Sequence, residues 1–94
     1  MELSSEAKVM SRSLHSWAQR QRGRYLLRRG LNFTQQGNYT AALKSLTAAL
    51  DYHSEPAAVL VRRGLVYLQQ SAHDAALADF DQAIACEILP MGMR

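Results

Sequence analysis

Ninety-four residues fit one small domain, and 48% hydrophobic against 20% charged residues is the balance of a chain that folds, which excludes disordered and collagen-like classes. The net charge of +3 conceals a gradient. Residues 7–50 hold no Asp or Glu but eight positive charges, at Lys8, Arg12, Arg20, Arg22, Arg24, Arg28, Arg29 and Lys44. From Asp51 onward Asp51, Glu55, Asp74, Asp79, Asp81 and Glu87 outnumber Arg62, Arg63 and Arg94. Cys86, the single cysteine, excludes an intrachain disulfide and reads as a small buried apolar residue, and His15, His53 and His73 have no metal-ligand spacing. No cofactor is expected. The absence of a bilayer-length apolar run or signal-type start implies a soluble, cytoplasmic chain.

In chain order, residues 1–22 come first. Leu3, Ala7, Met10, Leu14 and Trp17 recur every three or four positions, which predicts an amphipathic helix, started by Ser4 or Ser5, that covers the open face of the helices after it. A mobile segment that binds a partner or a membrane surface is the alternative, and Glu2, Glu6 and the serines weigh against the membrane.

Residues 23–56 align without a gap on residues 57–90, a period of 34 in which twelve pairs are identical, among them Leu26/Leu60, Arg29/Arg63, Gly30/Gly64, Ala42/Ala76, Ala49/Ala83 and Pro56/Pro90. Each unit reads as two helices, over 23–36 and 40–52, then over 57–70 and 74–87. Gly37 and Asn38 break the first helix as left-handed residues, Thr40 and Asp74 suit the N-cap of the second, and Pro56 and Pro90 close each unit. Gly30 and Gly64, with Ala42, Ala49, Ala76 and Ala83, leave room for Phe33, Leu46, Tyr67 and Phe80 to interlock. Residues 91–94 are too few for a further covering helix, and two repeats fall below the three that such arrays need. The second unit is therefore expected to keep a bare apolar face that self-association or a partner covers.

These features resemble the tetratricopeptide repeat. Gly30, Phe33, Gly37, Tyr39, Ala42, Ala49 and Pro56 meet its pattern in the first unit, and Gly64, Tyr67, Ala76, Phe80, Ala83 and Pro90 in the second, where Ser71 and His73 replace Gly and Tyr and predict a looser turn. The resemblance implies an all-α fold, a right-handed superhelical array of helix-turn-helix hairpins with about five helices. Arg29 and Arg63 stand where the common pattern has Leu. Asp79, before Phe80, is the expected partner of Arg63, whereas Ser45 leaves Arg29 without one.

The resemblance also implies a concave groove for a peptide or helix. Arg24, Leu27, Leu31, Thr34 and Gln35 face it from the first unit, and Ala58, Val61, Leu65, Leu68 and Gln69 from the second. Its aliphatic lining suits an apolar or amphipathic segment, which makes the chain a protein-interaction scaffold or adaptor, and glutamate at Leu31 and Leu65 is expected to abolish binding. Leu27 and Leu31 occupy the places of the Lys and Asn with which some members clamp the carboxylate of a chaperone tail, so that ligand does not fit. Two further readings come from charge. Arg20, Arg24 and Arg28, with Arg62, form a basic face for an acidic protein surface or, less well without interleaved aromatics, nucleic acid; a second copy's acidic half fits it too, giving a homo-oligomer. Nothing pairs a nucleophile with a base, Asp79 and Asp81 diverge on their helix, and an enzyme is not expected.

Overall fold

The computed structural model describes residues 5–52 and 55–92, with side chains over 13–52 and 55–86. Among them are four helices and no strand: α1 (Ser5–Gln35), α2 (Tyr39–Leu50), α3 (Pro56–Gln69) and α4 (His73–Gly92). α1 packs on α2, α2 on α3 and α3 on α4, which stacks two antiparallel hairpins in chain order. The 16.6 Å radius of gyration exceeds the ~12 Å of a compact chain of this length, as an array extended along one axis should.

The N-terminal helix and the first helix of the first unit run as one. At 31 residues, α1 is about 46 Å long and outreaches the 12-residue α2 that it packs on. Residues 13–22 are all exposed, Leu14 to 63% and Trp17 to 55%, so this arm does not fold back as a cover for the first hairpin. The reason is local. Good helix formers such as Arg20, Gln21 and Arg22 continue the helix into Gly23, and no proline or capping residue turns the chain. Leu3 lies outside the described residues, as do the side chains of Ala7 and Met10.

Both hairpins turn through the same bonds. Gly37 has φ +78°, and Asn38 N donates to Phe33 O at 2.9 Å; in the second unit Ser71 has φ +62°, and Ala72 N donates to Tyr67 O at 2.8 Å. The second turn is thus no looser, and Ser71 takes up the left-handed strain that Gly37 avoids. Asn38 is not left-handed; it is the N-cap of α2, its side chain accepting from Ala41 N, and Thr40 already lies inside the helix. Asp74 likewise sits in the first turn of α4 rather than at its cap. Pro56 opens α3 at N1, where its missing N–H is no loss, and α4 runs through Pro90 to Gly92, so neither proline closes a unit.

The glycines set the helix spacing. A Cβ on Gly30 would lie 2.7 Å from Leu46 Cδ2, and one on Gly64 2.6 Å from Phe80 Cε1. Ala42, Leu46, Ala49, Val59 and Val66 form the buried core, with Leu26, Leu27, Phe33, Leu43 and Leu50 packed around it. Val59 and Val66 come from α3. The core is therefore the junction between the hairpins, formed where α3 lies on α2. Cys86 is half-buried rather than in that core, and its thiol is free.

Candidate functional site

Arg63 ties three helices together. Its Nε donates to Asp79 Oδ2 at 2.8 Å and its Nη2 to Oδ1 at 2.7 Å, while Nη1 reaches Thr47 Oγ1 of α2 at 3.2 Å. The expected Arg63–Asp79 pair is thus present and bidentate, and Thr47 adds an acceptor from the preceding hairpin. The hydrogen bond to Asp79, and then its charge, raises the Arg63 pKa against the opposing effect of burial. Arg29, at the matching place, has no such carboxylate. Its Nη1 donates to Tyr25 Oη at 3.2 Å, and its guanidinium lies 5.1 Å from the Phe33 ring centre, as Arg63 lies 5.8 Å from that of Tyr67. Asp79 is committed to this pair and Asp81 is exposed, so the two form no catalytic couple.

Six of the ten residues expected to face a groove line two separate recesses. Arg24, Leu27 and Leu31 line a shallow recess of about 250 Å³ with Gln21, Arg28 and Glu55, where Arg24 Nε meets Glu55 Oε2 at 3.4 Å. That ion pair is exposed on both sides and is worth at most about 1 kcal/mol. Ala58, Val61 and Leu65 line a different recess of about 800 Å³ on the outer side of α3 and α4, with Ala57, Arg62, Phe80, Ala83 and Ile84. Thr34, Gln35, Leu68 and Gln69 line neither; Thr34 Oγ1 donates to Gly30 O at 2.8 Å, and Leu68 is exposed.

The larger recess lies within the bare apolar face expected on the second unit. Val61, Leu65 and Leu68 on α3 are 39%, 42% and 41% exposed, and Leu77 and Ile84 on α4 are 59% and 55% exposed. One repeat earlier the same places hold Leu27, Leu31, Thr34, Leu43 and Leu50, all half-buried, and Leu46, which matches Phe80, is 0% exposed. α3 contributes Val59 and Val66 to the core against which Leu27, Leu43 and Leu50 pack. Phe80, Leu77 and Ile84 are missing from the expected groove because a concave groove of first helices puts the second helices at its back; alignment on Leu46, Leu43 and Leu50 is the signal that marks them.

The basic residues are largely engaged. Arg20, Arg24 and Arg28 do follow one another at four-residue steps on α1 and are exposed, but Arg24 is paired with Glu55. An aromatic does stand among them: Tyr25 is 47% exposed, with the Arg22 guanidinium 5.9 Å from its ring centre and Arg29 on its hydroxyl. Arg62 belongs to the apolar recess, not to this ridge.

Comparison with protein families matches residues 27–88 to the tetratricopeptide repeat, over both hairpins described above. The chain belongs to the tetratricopeptide repeat family. Searches of curated proteins and of solved structures gave no match. Tetratricopeptide repeats are in general non-catalytic modules that mediate contacts between proteins. Among the described residues no helix is long and apolar enough to cross a membrane.

Proposed function

We propose that this chain is a non-enzymatic interaction module that receives an amphipathic helix of a protein partner on the outer face of α3 and α4. One observation carries the reading. Leu27, Leu43 and Leu50 are half-buried against the core to which α3 contributes Val59 and Val66, whereas Val61, Leu77 and Ile84, their counterparts, are bare. A surface whose copy one repeat earlier already holds a helix is shaped for a helix, and a contiguous exposed apolar face marks a contact site.

Leu31 and Leu65 belong to separate recesses, so single substitutions distinguish them. A photoreactive residue in place of Leu65, used in cell extract, is expected to cross-link to a protein segment, with the yield lost on Ile84→Glu and kept on Leu31→Glu. Cross-linking indifferent to Ile84→Glu rejects the α3–α4 face as the site. The reading of Arg20, Arg24 and Arg28 as a nucleic-acid surface gains no support, because Arg24 and the neighbouring Arg22 and Arg29 have partners within the chain.

A further inference from the structure

We infer that the occupant of the α3–α4 face is the projecting arm of α1 from a second copy of the chain. The inference rests on the reading of that face as a helix acceptor and names the helix. α3, which fills the equivalent face of the first hairpin, presents Val59, Arg63 and Val66 toward α2, a spacing of four and then three. The arm has the same spacing in Met10, Leu14 and Trp17, and the last two are 63% and 55% exposed. From Ser5 to Gly23 the arm is longer than the 14 residues of α3, so it is long enough to cross the face.

Charge selects the same pairing. Between Ser5 and Gly23 the arm carries Lys8, Arg12, Arg20 and Arg22 against Glu6 alone. α4 carries Asp74, Asp79, Asp81 and Glu87 and neither Lys nor Arg. Asp79 is held by Arg63, but Asp81 is exposed three positions before Ile84, at the edge of the face that Arg62 lines from α3, and on the arm Arg20 stands three positions after Trp17. The contact is between copies. α1 is a single helix from the arm into the first hairpin, among the described residues it makes no contact with α4, and the face it would fill is at the other end of the stack. An arm on one copy and a face on the next make a heterologous, head-to-tail junction.

Two variants test it together, both altered only at exposed positions so that the hairpins keep their fold, as circular dichroism would verify. In Leu14→Glu/Trp17→Glu the arm is disabled and the face kept; in Leu65→Glu/Ile84→Glu the face is disabled and the arm kept. Sedimentation of the wild type is expected to show mass rising with concentration from 10.5 kDa, and each variant alone to associate at least about thirtyfold more weakly, the loss that accompanies removal of a central anchor. Their equimolar mixture has one intact junction and should give a heterodimer that stops at twice the monomer mass, weakened by added salt. A wild type that stays monomeric at hundreds of micromolar, or a mixture that stays monomeric, overturns the inference. If the photoreactive residue at Leu65 then captures another protein, the helix-acceptor reading survives with a different occupant; if it captures nothing, both fall.

Discussion

Asp79 is 3% exposed and accepts from two nitrogens of Arg63, whose side chain is 17% exposed, so Asp79→Ala leaves a guanidinium with little water and one remaining acceptor in Thr47. Breaking a buried pair from one side costs about 3–5 kcal/mol, and the partial exposure of Arg63 places this loss near the lower end. Urea unfolding of Asp79→Ala is expected to show ~3 kcal/mol of destabilisation, whereas Arg63→Met/Asp79→Leu together should lie within about 1 kcal/mol of the wild type. A double variant no better than Asp79→Ala would mean that the pair is needed for packing geometry rather than for neutralising charge. The pairing itself was legible through the family resemblance, in which an Arg before the glycine of the first helix goes with an Asp before the aromatic of the second. Thr47 was not: it belongs to the preceding unit, and only the angle at which α3 crosses α2 carries Arg63 to it. Ser71 misled for a related reason. The turn depends on backbone bonds from Phe33 and Tyr67, which form whatever side chain stands at the left-handed position, so replacement of Gly37 by Ser71 strains the turn without opening it.

At the scale of elements, the boundary between residues 22 and 23 is a boundary of repeats and not of helices. Repeat alignment locates where copies begin, but helix ends are set by capping groups and backbone angles, and Gly23 lies buried within α1 rather than at an end of it. The same distinction explains Pro56, which ends the aligned block yet begins α3. Residues 13–22 are all exposed, so the arm is held by the helix behind it more than by packing. Ser16→Pro should therefore melt the arm alone. An interior proline costs about 3 kcal/mol in an exposed helix, enough to unravel the turns before it. The expected outcome, in dilute protein, is a fall in far-ultraviolet helicity with an unchanged urea midpoint. A lowered midpoint would show that the arm supports the hairpins after all, in the covering role that its apolar spacing first suggested.

Across the whole molecule, support is uneven because each helix packs mainly on its neighbours in the stack. α2 is clasped by α1 and α3 and buries Ala42, Ser45, Leu46 and Ala49, and α3 lies between α2 and α4 and buries Val59, Leu60, Gly64 and Val66. α4 has α3 alone, with Leu77 and Ile84 facing water. In such an array stability is close to a sum of hairpin and interface contributions, so opening starts where an interface is missing. Native-state hydrogen exchange is expected to find the slowest amides in α2 and in α3 near Val59 to Val66, faster exchange in α4, and the fastest in the arm. The order of the helices in the stack, and hence this gradient, comes from the period of 34 and the paired small residues, and the bare second unit was expected; that α4 shares in the bare face comes from comparing the exposure of Leu43 and Leu50 with that of Leu77 and Ile84. Raising the protein concentration separates two origins of the gradient. If copies dock arm to face, each tenfold increase adds up to about 1.4 kcal/mol of apparent stability to the covered helices, so α4 and the arm should slow together while α2 changes least. A gradient that concentration leaves unchanged belongs to the isolated chain and leaves α4 with nothing docked on it.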